Sequence, residues 1–380
     1  MYTNETAASN RTILEELFTE GGIRIKRGNL FDWSPGPKPD TFSFDKVEGM
    51  LLGVGIGDAL GILTEGWLPS LRKQHKGEIT DYQKNKYTGE YRGYPSDDSQ
   101  MTFWTLEQLI ADGGYVPANV ADAMIKERII GIGHNVKEYA ECRKHGLPWY
   151  ECGPESAGNG SAMRISPMLI PHLRTGASDL WVDTALSAMT THNDSFAIAS
   201  CLALTNMLWQ ALDMHEPPAA EWWLNTFIDI VRDLENGGSY QSKAPKYSDY
   251  SGPGWQFVDM VVRDAYAHDL DTFTACQSWY SGAYMLETIP CVIYILMRHG
   301  HNLEEAIIRA VNDTYDNDSV AAIVGAQVGA LHGRQALPAR WVDSLSGCTI
   351  VPPTFDPQNE RDDGKMFELI AQARSRFWKD

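Results

Sequence analysis

The sequence predicts an all-α fold with a short extension ahead of it. Three observations carry that expectation. Apolar residues recur three and four apart in seven segments, the period-two alternation of strands is scarce, and loops rich in Gly, Pro, Ser and Asp divide the segments. A chain of 380 residues with 43% hydrophobic and 22% charged content can bury a core of that kind.

In chain order, residues 1–43 read differently from the rest. RTILEELFTEGG (11–22) can form a short amphipathic helix, whereas IRIKRGNLFDWSPGPKPDTF (23–42) mixes basic residues, aromatics and three prolines. That composition suits a strap over the domain or a partner-binding arm carrying Arg24, Lys26, Arg27 and Trp33. The helical domain is expected over 44–380. FDKVEGMLLGVGIGDALGIL (44–63) opens it, and TFWTLEQLIADGG (102–114) follows, stopping at glycine. WVDTALSAMTTHND (181–194), SFAIASCLALTNMLWQALDM (195–214) and EWWLNTFIDIVRDLENGG (221–238) form a central run, and ETIPCVIYILMRHG (287–300) continues it. SVAAIVGAQVGALHG (319–333) is rich in Ala and Gly, so its backbone can pack very closely on a neighbour. The intervening loops, 87–98, 152–161, 240–255 and 348–365, are where reactive groups are expected on a rigid helical scaffold.

Carboxylates outnumber bases by 50 to 32, a net charge of -18. Such a chain repels nucleic-acid phosphates, while it suits metal cations or basic protein partners. The N-terminus lacks the charged start and apolar stretch of a secretory signal, and no run approaches the roughly 18 apolar residues of a bilayer span. A cytoplasmic protein without a membrane partner is therefore expected. The six cysteines are scattered without a CxxC pair, which predicts reduced structural thiols.

Two acidic clusters stand at helix starts. In YPSDDSQMTF (94–103), Ser96, Asp97 and Asp98 precede an apolar helical pattern; each alone could be a cap suited to the helix dipole. In NDTYDNDSV (312–320), Asp313, Asp316, Asp318 and Ser319 repeat the arrangement. Hard divalent cations take oxygen ligands, so two half-sites of acids and a hydroxyl could jointly hold one or two ions. Without a cation, so many carboxylates would repel one another and hold protons.

Between them, AGNGSAMRISPM (157–168) offers Gly158 and Gly160 for close backbone approach, Asn159 and Ser161 as donors, and Arg164 to pair with an anion. A tight interhelical turn accounts for the same residues. His192, in TTHND, reads as a polar cap or a catalytic imidazole beside Asp194.

Taken in order, GMLLGVGIGDALGILTEG (49–66), YPSDDSQMT (94–102), GNGSAMRISPM (158–168), THND (191–194), SGAYMLETIPCVIYIL (281–296) and NDTYDNDSVAAIVGAQVGALHG (312–333) resemble the ADP-ribosylglycohydrolase family. The resemblance implies an all-helical fold with a binuclear Mg²⁺ centre in a cleft, cutting ADP-ribose from an acceptor. Its metal ligands would be Ser96, Asp97, Asp98, Asp316, Asp318 and Ser319, with Ser at both positions where the family usually has Thr. Asp97 or Asp98 would orient or deprotonate the attacking water. Glu65 matches a carboxylate that closes over the metals in some branches, although it also reads as a helix-end acid. Gly158, Asn159, Gly160, Ser161, Met163, Arg164 and His192 would receive the diphosphate and adjacent ribose, and Tyr284 would stack near the adenosine part. Ala283 stands where Gly is commoner, and Asp58 reads as helix support or as an indirect partner of the metal.

The expected activity is Mg²⁺-dependent removal of ADP-ribose from arginine on modified proteins. The acceptor could instead be serine or a small molecule, and a phosphohydrolase acting on the diphosphate is a third option. Family members with immunity roles suggest an antitoxin, in which residues 1–43 also block an ADP-ribosyltransferase toxin. A binding protein, with hydrolysis secondary to occlusion by that arm, is the alternative from another class.

Overall fold

The computed structural model describes residues 4–85, 89–349 and 364–378. The expected loops at 87–98 and 348–365 therefore fall partly outside the described residues. The fold is mostly helical, as its apolar spacing predicts. The helices are α1 (Asn4–Glu20), α2 (Asp45–Gly61), α3 (Pro69–Lys76), α4 (Asp97–Asp112), α5 (Pro117–Ala123), α6 (His134–Lys144), α7 (Asp179–Thr191) and α8 (Ser195–Ala211). They continue as α9 (Ala220–Leu234), α10 (Gly254–Ala267), α11 (Thr272–Ser278), α12 (Met285–His299), α13 (Leu303–Asp313), α14 (Asn317–His332), α15 (Ala339–Asp343) and α16 (Lys365–Ala373). A two-stranded antiparallel ribbon, β1 (Tyr240–Gln241) with β2 (Ser251–Gly252), interrupts the loop before α10.

Helices α2 and α14 form the axis of the core. Glycines recur every four residues in α2 at 49, 53, 57 and 61, on one face of the helix. A Cβ on Gly53 would lie 2.1 Å from the carbonyl oxygen of Gly325, and one on Gly49 would lie 2.5 Å from that of Gly329. At Gly61 the same construction meets the Cα of Asp318 at 2.5 Å. Nothing larger than hydrogen fits at these crossings, so the two backbones touch and the N-terminus of α14 is drawn to the C-terminal end of α2.

Helix α2 with the turn after it, Asp45–Thr64, is long and apolar enough to cross a membrane by length and composition, against the sequence expectation of no such run. The segment is 83% buried inside the fold, and a helix apolar all round is what a core position requires.

The N-terminal extension packs onto the domain. Leu14, Leu17, Ile23, Ile25, Leu30 and Phe31 are buried in the common core. Trp33 stacks on Trp181 at 5.4 Å, and the Trp181 indole donates to the Trp33 carbonyl. Arg24 pairs with Glu155, and Arg27 with Glu15 and Asp32. Removing residues 1–40 would strip those core side chains, so such a deletion tests folding rather than partner contact.

Candidate metal centre and substrate cleft

The site forms where three helix ends converge. Asp58, near the end of α2, is fully buried and reaches the start of α4. Its Oδ2 accepts the backbone N–H groups of Ser96 (2.9 Å) and Ser99 (3.0 Å), while Oδ1 accepts the Ser96 hydroxyl at 2.6 Å. Asp58 thus satisfies free donors that an N-cap side chain would otherwise satisfy. Ser96 occupies the cap position without making a side-chain cap bond, so its expected alternative role as the cap is not what holds it.

With Ser96 fixed, the next turn presents Asp98 inward and Asp97 to the cleft. Asp98 lies 3.3 Å from the Ser96 hydroxyl and 3.5 Å from that of Ser319, a residue 221 positions later. Carboxylate oxygens of Asp58, Asp98 and Asp318 lie within 4.8 Å of one another, and so do those of Glu65, Asp316 and Asp318. The two acidic clusters are therefore one site, made of two triads sharing Asp318.

The donor set suits a metal. Every ligand atom on offer is a carboxylate or hydroxyl oxygen, which hard divalent cations prefer. Asp98 Oδ1 is buried with no hydrogen-bond partner, a costly state for a carboxylate unless a cation or proton meets it. Asn159 donates to Asp316 at 2.5 Å and to the Thr288 hydroxyl at 3.0 Å, fixing one ligand from outside the triads.

Burial raises every acid of the cluster, and neighbouring negative charge adds to it for Glu65, Asp97, Asp98 and Asp318. Asp97 is pushed up to about 8 by burial and then by Asp58 and Glu65. Asp98 and Asp318 are driven well above the carboxylate range, and Asp58 and Asp316 are raised despite the hydrogen bonds that oppose the shift. The Glu65 side chain is open to solvent at the rim, yet the protein packed around it, with Asp316 and Asp58, pushes it up to about 7.

The linkage sign follows from those raised values. Below about pH 4 these acids are protonated in folded and unfolded chains alike. As pH rises from there towards 7–8, the unfolded chain ionises first, so the folded state binds more protons and loses relative stability. Chelator-treated protein is accordingly expected to melt at a lower temperature at pH 8 than at pH 5. Added Mg²⁺ should raise the melting temperature more at pH 8, because its ligands must be deprotonated. Thermal melts at the two pH values check this, and an equal Mg²⁺ effect at both would count against the cluster as the binding site.

The acids open into a cleft of about 330 Å³. Glu65, Asp97, Asp316, Asp318 and Ser319 line it together with Gly158, Asn159, Gly160, Met163, His192 and Tyr284. Ser96 and Asp98 lie buried behind them. The glycine loop pairs with the segment before α12: Asn159 N–H donates to Ala283 O at 3.0 Å, and Met285 N–H to Ala157 O at 2.8 Å. A Cβ on Gly158 would sit 2.5 Å from the Asn135 amide nitrogen, and one on Gly160 would sit 2.9 Å from the His192 ring. A side chain at either glycine would press on residues that line the cleft. Burial, with Arg164 nearby, pushes His192 down to about 3, so the imidazole is neutral in the physiological range.

Three expectations are corrected by this geometry. Arg164 does not face the cleft; it is fully buried and donates to the Ser187 hydroxyl, the Ser187 carbonyl and the Thr191 hydroxyl. Its guanidinium ties the glycine loop to α7 and thereby positions His192, the residue after Thr191. Ser161 is also buried outside the cleft lining, accepting from the Cys201 thiol at 3.4 Å. Asp313 turns away from Asp316, accepting from the Thr272 hydroxyl at 2.6 Å and facing Arg309.

The cleft also contains residues that sequence reasoning did not single out. Lys243 lies over the Tyr284 ring at 4.8 Å and 3.6 Å from the buried Glu287. Tyr280 stacks on Tyr315 at 5.5 Å, and Asn135 enters from the start of α6. Glu287, one turn beyond Tyr284, carried a readable signal: an acid in an otherwise apolar helical pattern. Tyr280 carried none, since its left-handed backbone, φ 85°, falls on a non-glycine residue.

The chain is similar to known proteins in sequence and in fold. The sequence model of the family described as ADP-ribosylglycohydrolase matches residues 39–372. ADP-ribosylarginine hydrolase Tri1 of Pseudomonas putida (strain GB-1) is 26% identical over 322 residues, covering 80% of this chain and 75% of that protein. ADP-ribosylhydrolase ARH3 of Xenopus tropicalis is 23% identical over 331 residues, covering 80% and 91% respectively. A solved structure described as an ADP-ribosylglycohydrolase-related protein complex superposes with a TM-score of 0.59 at 20% identity, covering 88% of this chain and 98% of that one, a likeness of fold.

Proposed function

Since the chain belongs to the ADP-ribosylglycohydrolase family and is an ADP-ribosyl hydrolase, we propose that it releases ADP-ribose from arginine on modified proteins, using two Mg²⁺ ions. The observation that carries this reading is the union of the two acidic clusters into triads that share Asp318 at the cleft. Asp58, Asp98 and Asp318 would hold one ion, and Glu65, Asp316 and Asp318 the other, with Ser96 and Ser319 as neighbouring hydroxyls. When bound, such ions polarise ribose hydroxyls and lower the pKa of a coordinated water.

The chain's own residues supply the remainder. Gly158 and Gly160 leave room for a diphosphate against the backbone, and neutral His192 can hydrogen-bond beside it without adding charge. Tyr284, with Lys243 above it, offers an aromatic face to the nucleoside. A water attacks the anomeric carbon while the bond from that carbon to the guanidine nitrogen breaks, its electron pair leaving with nitrogen. Asp97, facing the cleft, accepts the water's proton at its carboxylate and returns it to the departing guanidine. The name of the Pseudomonas relative supports arginine over serine as the acceptor.

Incubation with arginine-modified and serine-modified proteins, followed by mass spectrometry of the products, tests the assignment. Intact ADP-ribose and unmodified arginine are expected. AMP would indicate phosphohydrolysis instead, and faster release from serine would overturn the acceptor.

A further inference from the structure

Three of the ten large apolar side chains exposed among the described residues fall within five positions: Trp67, Leu68 and Leu71 are 39%, 49% and 45% exposed. Trp67 and Leu68 precede α3, with Leu68 at its N-cap, and Leu71 lies in its first turn. The His75 ring meets Trp67 edge-on at 6.4 Å, and the Lys76 ammonium lies 6.0 Å above the same indole. Helix α3 has Lys73, His75 and Lys76 in its last turn and no acid in its sequence, on a protein of net charge -18. The patch is thus both apolar and locally basic on an acidic molecule.

It is joined to the cleft. Glu65 lines the cleft two residues before Trp67, and the intervening Gly66 donates its N–H to the Tyr315 carbonyl at 3.2 Å. Tyr315 lies beneath Tyr280, itself 40% exposed, so aromatic surface runs from the mouth to the patch. Arg72 locks the arrangement. Its buried guanidinium donates to the carbonyls of Thr64 and Trp67 on one side and of Val311 and Thr314 on the other. The patch therefore moves as one piece with the segment that carries Asp316 and Asp318.

We propose that Trp67, Leu68, Leu71 and the basic end of α3 dock the polypeptide around the modified residue, preferring a segment that combines apolar and acidic side chains. The proposal rests on the reading that the substrate is a modified protein. An ADP-ribosyl group seated in the cleft places its acceptor at the mouth, and the chain attached to that acceptor must cross the adjoining surface. Apolar side chains rimmed by opposite charge give such a contact both affinity and orientation.

Two double variants, Leu68→Ser with Leu71→Ser and Lys73→Glu with Lys76→Glu, separate docking from chemistry because none of these residues lines the cleft. Each is assayed on an arginine-modified protein and on free ADP-ribosylarginine, with melting temperatures as a check on folding. The apolar pair should lower kcat/KM on the protein about tenfold, mainly through KM, and leave the free compound unaffected. The charge pair should do the same and abolish a preference for acidic over basic flanking residues in modified peptides. Equal losses on both substrates, or no loss on the protein, overturn docking alone. Failure of the unaltered protein to cleave either substrate overturns the arginine reading, and docking with it.

Discussion

Asp98→Asn is expected to lower kcat/KM on an arginine-modified protein by on the order of 10³-fold while leaving the fold intact, a loss typical of removing a group that stabilises transition-state charge. Asn keeps the shape of the side chain and removes its charge. In the wild-type protein Asp98 is buried among Asp58, Asp97 and Asp316, with one oxygen lacking a partner. Asn is neutral and adds no buried charge, so the chelated variant should melt no lower than the chelated parent. It should also lose most of the melting-temperature gain that Mg²⁺ gives the parent. Activity and stability then move apart, which a merely structural residue would not produce. A variant that keeps a tenth of the activity, or keeps the Mg²⁺-induced shift, contradicts the assignment.

Gly53→Val should act through the scaffold. Its Cβ would stand 2.1 Å from the Gly325 carbonyl oxygen, and that obstacle is backbone in a buried helix. Helices α2 and α14 must separate to admit it, which moves Asp58 on one helix relative to Asp318 on the other. Overpacking of this kind costs about 3 kcal/mol. For a chain of this size that corresponds to a fall of about 4 °C in melting temperature. Calorimetry measures the first effect and the Mg²⁺ affinity of the surviving folded protein the second. An unchanged melting temperature would show that the close crossing is not what sets the metal site.

Much of this was legible in the sequence. The apolar spacing of α2, α4, α7, α8, α9, α12 and α14 marked the elements, because each buries apolar residues three and four apart. The small residues of α14 announced a close contact, and the four-residue glycine repeat of α2 is its counterpart, recognised only once the two helices are seen together. Helix α6 was hard to read because Val136, Tyr139 and Ala140 are its buried residues, too thin a stripe for periodicity to stand out. Helix α13, by contrast, places Leu303, Ala306, Ile307, Ala310 and Val311 on one face, a readable stripe that sequence reasoning did not single out.

At the site, the repeated pattern of acids and hydroxyl marked the two halves, but pairing them required the fold. Arg164 shows the limit. An arginine in a glycine-rich loop looks the same whether its guanidinium meets a phosphate or, as here, hydroxyls and a carbonyl of the next helix. Asp58 does support a helix start, as one of its two sequence readings had it, but its partners there, Ser96 and Ser99, lie 38 and 41 residues away, beyond any local pattern.

The most direct test of the central claim is a single-turnover assay of ADP-ribose release from an arginine-modified protein. The enzyme is first stripped with chelator, and Mg²⁺ is then titrated back. Release should be absent after stripping and return saturably with Mg²⁺, because the buried acids cannot all ionise without a counter-cation. Release at full rate in excess chelator would contradict a metal centre built from Asp58, Asp98, Asp316 and Asp318.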